Sequence, residues 1–168
     1  MKTKDRIIVT SLTLFNEEGE ANTTTIDIAN EMDISPGNLY YHFKGKDEII
    51  GELFQQYETA LAETLTAPIE QPLSDKDSDV EDNWYFLYVL MEEMYQYRFL
   101  YHNLENILYR YPTIRKRFRR LIQLKRAALY AICQTLLKQS IINTEDQQLV
   151  GLVDNMTLAL TFWFSYNQ

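Results

Sequence analysis

Apolar residues recur along this chain every three to four positions and rarely alternate, so the pattern predicts helices from end to end. The longest stripe is Ile49, Ile50, Leu53, Phe54, Tyr57, Leu61 and Leu65, which makes one helix from Lys46 towards Leu65. Asp47 and Glu48 fall in its first turn, where the helix dipole favours carboxylates. Ahead of it, Ile7, Ser11 or Leu12, and Phe15 give an opening helix over residues 3 to 19, ended by Gly19. Thr24 stands three before Asp27, a capping pair in which the hydroxyl accepts from the third helical N–H and the carboxylate reaches back. The short helix it starts carries Ile26, Ala29 and Met32 on one face. Asp33-Ile34-Ser35-Pro36-Gly37 is then a sharp turn: Ile34 plugs the angle, Ser35 caps, and Pro36 suits a first helical position because it has no N–H to leave unpaired. The next helix turns Leu39 and Phe43 inward and Gly37, Asn38, Tyr41 and His42 outward, and Gly45 suits a left-handed end.

The second half continues the pattern. Residues 67 to 77, with two prolines and scattered charges, read as a loop, and Ser78 with Glu81 is the next capping signal. A helix is expected from there to Arg98, another from Phe99 to Tyr109, and a break at Tyr111-Pro112-Thr113. A long helix then runs to Gln139 with Ile114, Phe118, Leu121, Ile122, Leu129, Ile132 and Leu136 inward. The last begins at Thr144, capped through Gln147, and bears Leu149, Leu152, Val153, Met156, Leu160 and Trp163. Neither of these two helices has enough polar surface to stand alone. The chain stops in an apolar stretch without a cap or polar tail, so the natural protein is expected to continue beyond Gln168.

A short helix, a tight turn and a second short helix with polar and aromatic side chains outward is a helix-turn-helix. The block Leu39-Tyr40-Tyr41-His42-Phe43 followed by Lys46-Asp47-Glu48, behind Thr24 or Thr25, Ile28-Ala29 and Ile34-Ser35-Pro36-Gly37, resembles the DNA-binding domain of the TetR family of bacterial transcriptional regulators. The close likeness covers residues 5 to 57. It implies DNA contacts at Thr25, Ser35, Pro36, Gly37, Asn38, Tyr40, Tyr41, His42 and Lys46, with the second helix in the major groove, Asn38 addressing a base edge and the tyrosines and Lys46 holding phosphates. The plainer reading makes Tyr40 core, Pro36 a helix starter and His42 a surface residue.

Charge complicates this. The 168 residues carry a formal net charge of −8, and residues 1 to 50 hold 5 Lys or Arg against 9 Asp or Glu. Such a balance opposes indiscriminate attraction to polyanions; Lys2, Lys4 and Arg6 at one edge and Lys44 and Lys46 at the other are the only local cations. Hydroxyls and backbone N–H groups are therefore expected to supply many of the phosphate contacts. Residues 51 to 107 carry 12 acids and 2 bases, whereas residues 108 to 126 carry 8 bases and no acid. The two excesses can face each other, or the basic run Arg115 to Arg126 can form a second nucleic-acid surface or dock an acidic partner protein.

Between Trp84 and Tyr111 the chain is densely aromatic. Packing accounts for such a cluster, and so does a pocket with apolar walls and a few orienting polar groups, for which Trp84, Tyr88, Met91, Tyr95, His102, Asn106 and Tyr109 are the candidates. His42, His102 and Cys133 have no spacing that fits a zinc site, and no metal or cofactor is expected. One cysteine excludes an internal disulfide and fits a reducing compartment. No apolar run approaches a membrane span, and the basic-then-apolar N-terminus lacks a small-residue cleavage site, so it is read as a cytoplasmic amphipathic helix rather than a signal. No phosphate loop, nucleophile elbow or metal-ligand pair points to an enzyme.

The expectation is an all-α protein: a three-helix helix-turn-helix DNA-binding domain over residues 1–48 and a larger helical ligand-binding and dimerisation domain over residues 49–168. The resemblance implies a regulator, more often a repressor, that binds a near-palindromic operator as a homodimer and is released by a small-molecule effector. Leu129, Ile132, Leu136, Leu149, Leu152, Met156, Leu160 and Trp163 are the expected dimer residues. The alternative is a helical interaction module governed by an acidic protein partner without small-molecule control.

Overall fold

The computed structural model describes residues 2–70 and 80–166, and among them every regular element is a helix. Helices α1 (Thr3–Glu18), α2 (Thr25–Glu31), α3 (Pro36–His42) and the start of α4 (Lys46–Glu70) form the N-terminal unit. Helices α5 (Val80–Gln96), α6 (Phe99–His102), α7 (Leu104–Arg110), α8 (Pro112–Lys138) and α9 (Asp146–Tyr166) build the larger unit on the rest of α4. Packing follows the long helices: α4 lies along α8, and α8 against α9.

One core runs through both units. Ile7, Phe15, Ile28, Leu39 and Ile49 are fully buried at one end, and the same cluster continues through Phe54, Leu61, Leu65, Leu90 and Phe118. Each such side chain contributes about 1.5–3 kcal/mol by leaving water, which three short helices could not gather by themselves. A second cluster, Leu129, Cys133, Leu149 and Val153, closes α8 on α9. The units are also bonded. The Asn16 side chain on α1 donates to the Gln96 carbonyl at 2.9 Å and accepts the Phe99 N–H at 3.0 Å, satisfying backbone groups where α5 ends and α6 begins.

The predicted local signals operate. Asp27 N–H donates to Thr24 Oγ1 at 3.2 Å while Thr24 N–H donates to Asp27 Oδ2 at 2.8 Å, and Asn38 N–H donates to Ser35 Oγ at 3.2 Å. The Thr24 hydroxyl and N–H hold the Asp27 carboxyl below its ordinary range. Gly19 takes a left-handed φ of 86° after α1.

Several expectations change. Ile26 is exposed, and the buried face of α2 is Ile28, Ala29 and Met32. Gly45 is not left-handed; α3 ends because Phe43 turns extended, at φ −137°. Residues 67 to 70, expected in a loop, extend α4, with Pro68 buried inside it; the remainder of that loop and Ser78 lie outside the described residues. The helix expected over Phe99 to Tyr109 is two helices, because Asn103 leaves helical geometry at φ −133°, ψ 46° and accepts from the Asn106 side chain at 2.6 Å. The last helix starts at Asp146, and Thr144 Oγ1 donates to Gln148 Oε1 rather than pairing with Gln147.

Candidate nucleic-acid interface

Ser35, with Pro36 at the first helical position, aims α3 so that Leu39 and Phe43 are buried and the opposite face is open. Ser35, Pro36, Gly37, Asn38 and Tyr41 are exposed, Tyr41 at 84%. A Cβ at Gly37 would meet nothing nearer than Ser35 Oγ at 3.9 Å, so this surface is clear for a large partner. Tyr40 is half exposed, and its hydroxyl lies 3.0 Å from Thr25 Oγ1, joining the start of α2 to α3. His42 is half-buried and edge-on to Tyr41, ring centroids 5.1 Å apart. Thr25 and Tyr40 are thus joined across α2 and α3, and Ser35, Pro36, Gly37, Asn38 and Tyr41 lie open on α3 and its cap.

Lys46 is bonded within the chain. Its ammonium donates to the Glu20 carbonyl at 2.7 Å and the Thr23 carbonyl at 3.0 Å and pairs with Glu20 Oε1 at 3.0 Å. An ammonium has three N–H groups, and all three are engaged here, so a phosphate contact by Lys46 requires giving up one of these partners. Lys44, two residues earlier, is exposed.

The Glu20 carboxylate, 3% exposed, is a centre that pattern reading missed. Besides Lys46 it accepts from Arg110 Nη1 at 3.1 Å and from the Tyr111 hydroxyl at 3.0 Å. Burial first, and then the Glu20 charge, push the Tyr111 phenol well above its ordinary range. One carboxylate thus ties the α1–α2 connection to the head of α4 and to the α7–α8 junction. Nothing in the local sequence marks it, since the partners lie 26, 90 and 91 residues away.

The seven ligand candidates do not converge. Trp84 and Tyr109 are exposed, Tyr109 at 80%, and Asn106 bonds to Asn103 on the surface. His102 is half-buried, and burial, then Arg98, lowers its pKa. Tyr88 and Tyr95 line an open groove of about 500 Å³ against Leu12 and Asn16 of α1, and Met91 is only half-buried. Alternate faces of α5 and α7 explain this: the aromatics with the clearest sequence signal are on the outer faces. The interior contains other tyrosines. The Tyr57 and Tyr101 hydroxyls hydrogen-bond each other while fully buried, and Tyr97 packs on Tyr57 with centroids 5.4 Å apart. Burial raises the phenol pKa of all three. Beside them Glu93 accepts from Thr64 Oγ1 at 2.7 Å through one oxygen, and burial raises its carboxyl.

The dimer set divides. Leu129 and Leu149 are buried between α8 and α9, Ile132 is buried on α8, and Leu136, Met156 and Leu160 are half-buried. Leu152 and Trp163 are exposed, and with Leu158, Phe162 and Tyr166 they form an apolar face on α9. Part of the basic run is engaged within the molecule: Arg117 Nε donates to Glu58 at 2.8 Å, Arg126 Nε to Asp154 at 2.6 Å, and Arg115 Nε to the Leu108 carbonyl at 3.0 Å. Lys116, Arg119 and Arg120 remain on the surface. The Glu58–Arg117 pair is the one ion pair between the acidic stretch and the basic run among the described residues. Among the described residues no helix is long and apolar enough to cross a membrane, and no cluster of side chains fits a metal ion.

Comparison with known proteins agrees with this arrangement. Residues 7–53 match the family described as "Bacterial regulatory proteins, tetR family", and residues 56–168 match TetR, "Bacterial transcriptional repressor". The chain is 34% identical over 76 residues to the HTH-type transcriptional repressor KstR2 of Mycolicibacterium smegmatis, covering 40% of this chain and 37% of that protein. It is 46% identical over 46 residues to the negative regulator of the icaADBC biofilm operon, IcaR, of Staphylococcus epidermidis, covering 27% of this chain and 25% of that protein. The chain thus spans well under half the length of these two relatives. A TetR-family regulator from Marinobacter aquaeolei superposes with a TM-score of 0.88 at 36% identity, over 99% of this chain and 80% of that one. Helix-turn-helix geometry, a helical second unit and a family match over most of the length agree: the chain belongs to the TetR family of bacterial transcriptional regulators.

Proposed function

We propose that the protein is a dimeric repressor that inserts two copies of α3 into successive major grooves of a near-palindromic operator and is released by a small-molecule effector. The observation that carries this is the open face of α3, where Asn38 and Tyr41 project and the backbone at Gly37 is uncovered. A helix of 7 residues reads few base pairs, so specificity needs two copies at a fixed separation. Thr25, Ser35, Pro36, Gly37, Tyr40 and His42 complete the contact surface, and Lys44 replaces Lys46 as the phosphate cation beside it. The apolar α9 face of Leu152, Leu158, Phe162, Trp163 and Tyr166 supports pairing with a second copy. Operator DNA locates the activity in the cytoplasm.

Release follows from the two ties between the units, Asn16 with Gln96 and Phe99, and Glu20 with Arg110 and Tyr111. An effector that prefers a shifted α6–α8 arrangement moves α1 and the head of α4 with it and alters the separation of the α3 pair. It can do so only by its difference in affinity for the two arrangements. The test is a mobility shift on the DNA upstream of the protein's own gene. Retention that follows a near-palindrome and is lost in Asn38→Ala supports the reading; retention indifferent to sequence overturns it.

A further inference from the structure

Lys125 is the most unusual side chain in the larger unit. It sits in the basic run of α8, yet it is 1% exposed. Lysines are almost never fully buried without a partner. Here the ammonium meets no carboxylate among the described residues: its hydrogen-bond acceptor is the Met94 thioether at 3.6 Å, and the Tyr101 ring centroid lies 5.7 Å away. Sulfur is a weak acceptor and a ring face satisfies no N–H fully. Around it, one helical turn to either side on α8, are Leu121, Ile122, Ala128 and Leu129, all apolar. Burial alone brings its pKa down to about 8, so at neutral pH the group is still mostly protonated. A protonated, unpaired cation therefore stands in an apolar interior, where charges are normally paired.

We propose that Lys125 is the anchor for the effector, and that the effector is an amphiphile with an apolar chain ending in a carboxylate. The inference rests on the ligand-released reading above and specifies its chemistry. A single cation among apolar walls recognises one anionic group joined to an apolar body, because the walls cannot solvate a second polar group. The charge-assisted bond from ammonium to carboxylate replaces the weak sulfur contact. An open groove of about 470 Å³ between α4 and α8 is lined by Ala62, Leu121 and Leu124 together with Glu58, Thr59, Glu63 and Arg120, the last a cation beside the two carboxylates. Leu121 lines this groove and lies one turn before Lys125, so entry by this route requires the Leu121 side chain to move aside. The Tyr101 ring beside Lys125 belongs to α6, and Ser165 of α9 donates to the Tyr101 carbonyl, so a carboxylate seated here pushes on α6 and α9 together.

The test uses the whole chain and titration calorimetry with laurate, myristate and palmitate, each below its micelle concentration, against the corresponding methyl esters. Saturable binding of at least one acid, with its ester at least tenfold weaker, is expected. In Lys125→Met, of similar length and without charge, acid and ester should bind alike, while circular dichroism and operator affinity without ligand stay those of the native chain. Equal binding of acid and ester by the native chain, no saturable binding of any acid, or a preference for acid that survives in Lys125→Met each overturns the proposal. The acid-against-ester comparison in the native chain decides even if the variant folds poorly. Operator release is read separately: acids that bind through Lys125 without releasing DNA leave the anchor standing and remove the ligand-release reading. Failure to bind any operator removes the repressor reading alone.

Discussion

Replacing Glu20 by Ala removes the acceptor shared by Lys46, Arg110 and Tyr111, and its cost can be built from the surroundings of each partner. Arg110 is 47% exposed and turns to water, so its loss costs at most about 1 kcal/mol. Lys46, 19% exposed, keeps the Glu20 and Thr23 backbone carbonyls but loses its counter-charge, about 1–2 kcal/mol for a charge-assisted bond partly replaced. The Tyr111 hydroxyl, in a residue 8% exposed, loses its acceptor, about 1–2 kcal/mol. The expected destabilisation is about 3 kcal/mol, which at a urea slope near 2 kcal/mol/M lowers the midpoint by about 1.5 M. Glu20→Gln keeps a neutral acceptor in place and should cost about half as much. Urea unfolding followed by circular dichroism measures both. A midpoint within about 0.3 M of the native chain for Glu20→Ala, or equal losses for Ala and Gln, would refute the view that this carboxylate joins the units through its charge.

Three further outcomes are expected. Lys46→Ala should lower stability yet leave the salt dependence of operator binding unchanged, whereas Lys44→Ala should flatten it by about one unit; the reverse pattern in filter-binding titrations restores Lys46 as a phosphate contact. Because Lys125 has a depressed folded pKa of about 8, the unfolded chain binds more protons above that pH, so its contribution to stability rises between pH 8 and pH 10 by about 2–3 kcal/mol. The raised phenols of Tyr57 and Tyr101 act oppositely only above pH 10, and Lys125→Met should abolish the rise in chemical denaturation run across that window. Leu158→Glu on the exposed face of α9 should leave the 19.9 kDa chain folded but monomeric in sedimentation; a persisting dimer would move the interface elsewhere.

What could be read from sequence was governed by range. Thr24 with Asp27, and Ser35 with Pro36 and Asn38, act within three residues, and their chemistry dictates the turn wherever the chain goes. The helix-turn-helix was therefore legible, and the internal bonds of Lys46 were not, because its partners Glu20 and Thr23 are 26 and 23 residues back. Lys125 was hidden by its company: seven other bases in residues 108 to 126 made it look like surface. The aromatic stretch misled because tyrosines at successive positions of α5 cannot all point inward. On α9, apolar residues nearly encircle the helix, so the pattern could not distinguish Leu149 and Val153, which close on α8, from Leu158 and Phe162, which do not.

The side chain of Asn16 has a bearing on engineering. Its amide supplies the donor and the acceptor that the α5–α6 break lacks, at 2.9 Å and 3.0 Å, although it belongs to α1. A hybrid regulator made by grafting a foreign helix-turn-helix unit onto this larger helical unit is therefore not a cut at one point in the chain. Unless the donor unit carries an Asn at this position of its first helix, the larger unit inherits a carbonyl and an N–H without these partners, and the alignment of the two units is lost. Donor units should be chosen by that residue before they are chosen by the operator they read.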